Sequence, residues 1–190
     1  KLKVIPIMSM KDQLGSSSLD IRIGTSFQFY FPTKYGLIDF INKDTIKSAD
    51  VNSTLIDLDF LESITISPGQ FMLGHSLEYL QLPEFLAGEV EGRSSFARLG
   101  LEIHMTAGFV DPGFEGVLTF EIFNAGTNPI RIYPGFRIAQ LRFIPVNKPS
   151  KSYGRKISAK YRGLLTPSIS LQFKDNEVDK IRDELIRKKE

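Results

Sequence analysis

Residues 117–144, VLTFEIFNAGTNPIRIYPGFRIAQLRFI, decide the fold. Short runs of alternating apolar residues are broken by Asn128-Pro129 and Pro134-Gly135, pairs that favour turns over helix. A period of two places Leu118, Phe120 and Ile122 on one face of a strand, with Val117, Thr119, Glu121 and Phe123 on the other. The same pattern extends outward over Val4–Met8, Leu19–Ile23, Phe27–Phe31, Ser63–Ile66, Leu77–Leu82, Glu102–Met105, Pro129–Tyr133 and Arg137–Ile144. Pro68-Gly69 and Asp111-Pro112-Gly113 add further turns. Many short alternating strands between Gly and Pro turns predict an all-β sandwich or barrel. Helical spacing is confined to a short turn from Ser95, as N-cap, to Gly100, and to a tail in which Val178, Ile181, Leu185 and Ile186 recur.

The chain of 190 residues suits one domain, read as 1–173, followed by a charged tail over 174–190. The tail reads as a loosely docked terminal helix, with a linker or partner-binding helix as the alternative. A hydrophobic share of 42% against 24% charged excludes a disordered chain. The net charge of +2 makes no case for nucleic acid or a membrane surface as partner. The absence of cysteine excludes disulfides, a thiol nucleophile and every cysteine-ligated zinc site. Of the two histidines, His75 reads as a surface residue, while His104 lies near the candidate chemistry in a closing or a structural role. No apolar run approaches the ~18 residues that a membrane helix needs. The chain therefore reads as soluble and cytoplasmic, and its start at Lys1 in a strand-like stretch is consistent with residues removed upstream.

Two places carry chemistry. In Glu91-Gly92-Arg93-Ser94-Ser95-Phe96-Ala97-Arg98-Leu99-Gly100, arginines and two hydroxyls gather at the start of a turn, an arrangement suited to a phosphate or carboxylate, although a serine there is also an ordinary cap. Glu121 is a carboxylate between apolar neighbours in mid-strand. It is either a paired group that can serve as a general base or a residue facing water on an edge strand.

The run from Gly92 to Leu101, then His104-Met105-Thr106-Ala107-Gly108-Phe109-Val110-Asp111-Pro112-Gly113-Phe114-Glu115-Gly116, then Thr119-Phe120-Glu121 and Asn124, resembles the dCTP deaminases of the trimeric dUTPase-like superfamily. Ser17-Ser18-Leu19-Asp20-Ile21-Arg22-Ile23-Gly24, Leu77-Glu78-Tyr79 with Leu82-Pro83, and Pro134-Gly135-Phe136-Arg137-Ile138-Ala139-Gln140-Leu141 extend the likeness. Tyr153, Lys160-Tyr161 and Thr166-Pro167-Ser168 continue it, so that it covers residues 4 to 170. Several ordered motifs are far more specific than any one alone. The resemblance implies a distorted β-barrel of the β-clip type with one short internal helix and a C-terminal helix, assembled as a homotrimer.

The resemblance further implies hydrolysis of dCTP to dUTP and ammonia. Glu121 would be the general base and proton shuttle, Ser94 and Arg98 would position the water and the glutamate, and the Ala107 carbonyl would accept from the exocyclic amine. Asp111 would hold the deoxyribose. Arg93, Ser95, Gln140, Tyr153 and Lys160 would hold the triphosphate, partly from a neighbouring subunit, with Mg2+ on the phosphates, no protein-bound metal and no zinc. A single carboxylate can carry both proton transfers, from water to N3 and then to the leaving amine. Zinc deaminases instead draw on His and Cys ligands, which this chain cannot supply in full.

Two features depart from the family pattern. Leu164 and Leu165 follow Gly163 where a glutamine closes the site, and the Asp-rich N-terminal helix is missing. Alternatives therefore stand beside deamination. One is a bifunctional enzyme that goes on to dUMP through Asp111, and another is a non-catalytic nucleotide sensor or oligomerisation module of a larger protein.

Overall fold

The computed structural model describes residues 1–147, 153, 160–174 and 176–187. In chain order the strands are β1 (Lys3–Ile5), β2 (Leu19–Arg22), β3 (Ser26–Tyr30), β4 (Ser53–Asp57), β5 (Ile64–Ile66), β6 (Phe71–Gln81), β7 (Leu86–Gly92), β8 (Leu101–Glu102), β9 (Phe109–Val110), β10 (Glu115–Asn124), β11 (Ile130–Ile132) and β12 (Arg137–Pro145). The α-helices are α1 (Met10–Gln13), α2 (Lys43–Val51), α3 (Ser94–Ala97) and α4 (Asn176–Arg187). One sheet runs β4-β3-β6-β10-β8 with β1 also paired to β6, a second runs β2-β12-β7-β9, and β11 pairs with β5. Among the described residues no sheet closes on itself, which suits the distorted barrel or clip expected from the sequence. None of the described helices is long and apolar enough to cross a membrane.

From Leu118 to Phe123 the strand that decides the fold behaves as its alternation requires, whereas Val117, expected on the other face, is buried as well. Leu118, Phe120 and Ile122 of β10 are buried, Phe120 and Ile122 completely, while Thr119, Glu121 and Phe123 are half-buried. Antiparallel pairing with β6 runs from Glu115 opposite Gln81 to Phe123 opposite Phe71, with an irregularity between Val117 and Thr119. There the ladder leaves the Leu118 N–H without a strand partner, and Ser76 Oγ accepts it at 2.8 Å while donating to the Glu78 carbonyl at 2.6 Å. The buried hydroxyl thus satisfies the bulge that would otherwise leave a donor orphaned. Ile21, Ile23, Phe27, Ile66, Met72, Leu80, Ile132 and Ile138 complete the core.

The chain separates into two compact units, residues 1–28 with 55–168, and residues 29–54 with 169–190. In the second unit, Lys43 at the start of α2 bonds Asp179 of α4 at 2.6 Å, and Lys47 lies over the Phe173 ring. Val178 is buried, whereas Ile181 and Ile186 are 43% and 51% exposed, so of these three residues of the tail's apolar stripe only Val178 packs fully.

Several elements differ from the sequence expectation. The first half of β6, Phe71–Ser76, shows no alternation because Met72 through Ser76 are all buried. In β7 the glycines Gly88 and Gly92 and the glutamates Glu89 and Glu91 dilute the apolar signal, yet the strand is central, flanked by β12 and β9. The stretch expected as Glu102–Met105 shrinks to the two residues of β8. Helix α2 was not expected, since Ile46 is its only buried large apolar residue, and it starts instead on polar chemistry, with the Asn42 side chain accepting the Asp44 N–H.

His75, expected at the surface, is buried at 7% exposure. Its Nδ1–H donates to the Ser76 carbonyl at 2.8 Å, and its Nε2 accepts the Ser26 N–H at 3.1 Å. The ring also occupies the space a side chain at Gly24 would need, since a Cβ there would lie 2.3 Å from the imidazole. Both ring nitrogens are committed to the neutral tautomer, and burial holds the His75 pKa below its ordinary 6.5, offset in part by the Ser76 carbonyl and the Asp57 charge. Below pH 6.5 the unfolded chain therefore takes up a proton that the folded chain refuses. Stability is present above that value and is lost as the pH falls toward the lower folded pKa. Thermal melts between pH 7.5 and 5.5 are expected to show a midpoint that drops with acid, and a smaller drop in His75→Gln. Burial raises the pKa of Glu78, whose contribution has the opposite sign but is common to both proteins and cancels in the comparison. Parallel curves for the two proteins would show that His75 does not titrate with unfolding.

Candidate active site

The segment rich in arginine and serine folds around α3, but not as its serines predicted. Arg93 occupies the N-cap position without a side-chain cap bond, and Ser94 and Ser95 both lie inside the helix. The turn ends because Gly100 adopts φ +91° and passes so close to Gly126 that a Cβ would lie 2.4 Å from its nitrogen. Ser94, Ser95 and Arg98 are exposed. Among the described residues of one chain, Arg98 makes no ion pair with Glu121.

Glu121 sits in the middle of β10, between the buried Phe120 and Ile122. Its Oε2 accepts the Met105 N–H at 3.0 Å, which ties the carboxylate to the loop that carries Ala107. The other end of that loop is held where the Val90 N–H donates to the Gly108 carbonyl at 2.7 Å. A Cβ at Gly108 would approach the Val90 carbonyl oxygen to 2.8 Å. Ala107 itself is exposed, and His104 Nε2 lies 3.6 Å from Glu91. The fold thus brings together a half-buried carboxylate and an exposed loop bonded to it, an arrangement in which the carboxylate can exchange a proton with a ligand held there.

A second group of residues lies where β2, β12 and β7 run side by side. Gln140 stands opposite Asp20 on one side and Glu91 on the other. The Gln140 Nε2 donates to Asp20 Oδ1 at 3.1 Å, and the Arg93 Nε lies 3.4 Å from Asp20 Oδ2. Two residues expected at the triphosphate are therefore neighbours, joined by a carboxylate to which the sequence reading had assigned no role.

A third group surrounds Asp111. The Phe114 N–H donates to the Asp111 carbonyl, closing a turn in which Gly113 takes φ +79°. Tyr153 joins it, with its N–H donating to the Pro112 carbonyl at 3.1 Å and its ring 6.1 Å from that of Phe114. The Tyr161 N–H donates to the Tyr153 hydroxyl at 3.3 Å, which places the Lys160-Tyr161 pair beside Tyr153. From there the chain follows β10. The Gly163 N–H donates to the Glu115 carbonyl, the Val117 N–H to the Leu164 carbonyl, and the Ser168 N–H to Thr119 Oγ1. Leu164 and Leu165 are part of this run, and Leu165 is 69% exposed.

The family described as dCTP deaminase-like matches residues 1–146. The chain belongs to the dCTP deaminase-like family. Among curated relatives it is 37% identical over 160 residues to a dCTP deaminase of Rhodospirillum rubrum, covering 83% of the chain and 82% of the relative. It is 39% identical over 161 residues to a protein of Mycobacterium sp. strain KMS named dCTP deaminase, dUMP-forming, covering 84% and 82%. A protein of the same name from Dictyoglomus thermophilum is 36% identical over 171 residues, covering 90% and 86%. The crystal structure of a 2'-deoxycytidine 5'-triphosphate deaminase from Agrobacterium tumefaciens superposes with a TM-score of 0.58 at 23% identity, over 77% of this chain and 44% of that one. That likeness shows the shared fold. Within the dCTP deaminase-like chain, each of the three residue groups falls on or beside one of the motifs that carried the resemblance.

Proposed function

We propose that the protein deaminates dCTP to dUTP and ammonia at a site centred on Glu121. The observation that carries this reading is the Glu121 carboxylate, half-buried in mid-strand and bonded to the Met105 N–H of the loop bearing Ala107. In this reading Glu121 takes a proton as water attacks C4 of the cytosine, delivers it to N3 and then passes a proton to the leaving amine. The Ala107 carbonyl accepts from the exocyclic amine, and Asp111 holds the deoxyribose. Arg93, Ser95, Gln140, Tyr153 and Lys160 take the triphosphate. Mg2+ enters with the nucleotide, on its phosphates. Both oxygens of Asp20, the buried carboxylate among these ligands, already accept from protein groups, so the corner offers donors for phosphate rather than a ligand for the ion.

Ser94 and Arg98 belong to the same reading through a homotrimer. They stand exposed on α3 and form no bond with Glu121 among the described residues of one chain, so a neighbouring copy is the source that completes the site. A product that runs on to dUMP is the second reading, favoured by dUMP-forming relatives above one third identity, such as those of Mycobacterium and Dictyoglomus, and by Asp111 in its turn beside Tyr153. Action on soluble nucleotides also suits the expected cytoplasmic location.

Incubation with dCTP and Mg2+, followed by separation of dCTP, dUTP and dUMP and an ammonia assay, tests both. The expected result is one ammonia per dCTP consumed. Accumulation of dUMP and pyrophosphate without free dUTP selects the bifunctional reading. An unchanged dCTP pool removes both.

A further inference from the structure

The corner formed by β2, β12 and the start of α3 contains one more cation than the nucleotide reading uses. Arg137 Nη1 lies 3.3 Å from Asp20 Oδ2, the oxygen that Arg93 Nε also approaches, and Nη1 donates to the Asp12 carbonyl as well. The Arg137 carbonyl accepts from Arg93 Nη1 at 2.9 Å. Asp20 is thereby enclosed by Arg93, Arg137 and Gln140, and its side chain is 9% exposed, whereas those of Arg93 and Arg137 remain 29% and 31% exposed. Neither arginine's Nη2 has a protein partner among the described residues.

Regular alternation would not produce this. Arg137 and Gln140 are three residues apart, so in an uninterrupted strand their side chains would lie on opposite faces. The pairing of β12 with β2 slips between Arg137 and Ala139, so that Arg137 stands opposite Arg22 while Gln140 stands opposite Asp20. Arg22 and Asp20 share a face, and the extra residue, Ile138, is fully buried. The bulge therefore turns Arg137 onto the face that carries Asp20 and Gln140. Arg22, across the ladder, is engaged elsewhere, its Nη1 donating to the Gly135 carbonyl and its charge lying near Glu78, so the two guanidinium groups that share Asp20 are those of Arg93 and Arg137, planar donors held in place by one carboxylate.

We propose that Arg137 is a further phosphate-binding residue of the nucleotide site, paired with Arg93 and positioned by the buried carboxylate of Asp20. The proposal rests on the reading that Arg93 and Gln140 receive the triphosphate. Asp20 anchors one edge of each guanidinium, and the remaining N–H groups are presented to the polyphosphate oxygens. Losing a charge-assisted contact to the triphosphate costs about tenfold or more in affinity.

The test is calorimetric binding of inorganic tripolyphosphate to the full chain, together with KM and kcat for dCTP, in the wild type, Arg93→Ala, Arg137→Ala and Asp20→Asn. Arg137→Ala is expected to weaken tripolyphosphate binding and raise KM by about tenfold or more, with kcat changed far less. For Asp20→Asn, plain Coulomb attraction expects tighter anion binding, because a negative charge is removed. The positioning role expects weaker binding, because both guanidinium groups lose their anchor. If Asp20→Asn fails to fold, Arg137→Ala, a change at a partly exposed side chain, still decides. Binding lost in Arg93→Ala but within twofold of wild type in Arg137→Ala overturns this proposal and leaves the nucleotide reading intact. Binding of tripolyphosphate that needs Arg137, in a protein that leaves dCTP unchanged, supports the polyphosphate site and overturns the deaminase reading. A wild type that binds no tripolyphosphate and does not turn over dCTP overturns both.

Discussion

Glu121→Gln is expected to lose ammonia release by about 10²- to 10⁴-fold while dCTP still binds. The amide keeps the length and planarity of the side chain and can still accept the Met105 N–H through its oxygen, so the loop that carries Ala107 stays in place. It cannot take a proton from water. The loss should therefore fall on kcat, with KM little changed, since the missing interaction is one made in the transition state. A rapid-quench measurement of ammonia alongside calorimetric dCTP binding separates the two terms. Turnover close to that of the wild type would falsify the assignment of Glu121 as the base.

Arg98→Ala is expected to be impaired to a similar degree, and mixing it with Glu121→Gln is expected to restore activity. The reason is geometric. Arg98 is exposed at the end of α3 and unpaired with Glu121 among the described residues of one chain, so in the proposed homotrimer each complete site would draw Arg98 and Glu121 from different copies. Each variant alone spoils every site of its trimer. In randomly mixed trimers about a quarter of the sites receive an intact Glu121 from one subunit and an intact Arg98 from its neighbour. Co-refolding the two inactive variants in equal amounts should therefore recover up to about that share of wild-type activity. No recovery, with light scattering showing mixed trimers, would mean that both residues act within one subunit. A monomer that retains activity would remove the trimer altogether.

Much of this was legible in the chain, because it depends on periods and on ordered motifs. The alternation over 117–123 assigned Phe120 and Ile122 to the core and left Glu121 on the opposite face, and burial follows that pattern from Leu118 to Phe123, while Val117, before the bulge, is buried as well. The spacing of the motifs around Gly92–Leu101, His104–Gly116 and Pro134–Leu141 was sufficient to recognise the family. Elements without a periodic signal were not legible. Phe71–Ser76 is buried on both faces, β7 is diluted by glycine and glutamate, and α2 has a single buried large apolar residue. His75 gave no sign of burial, since nothing in its neighbours announces that Gly24 leaves room for a ring.

By itself, then, the sequence determined the strand-rich class, the family and the set of polar residues available for chemistry, because these depend on local periodicity and on the order of residues along the chain. Which of those residues meet was decided by tertiary structure alone. Asp20, Arg93, Arg137 and Gln140 are scattered over 121 positions, and they converge because β2, β12 and β7 pair in one register and a single extra residue in β12 turns Arg137 to the shared face. A one-residue slip in pairing reverses the side of every side chain beyond it, and no local pattern records where that slip occurs.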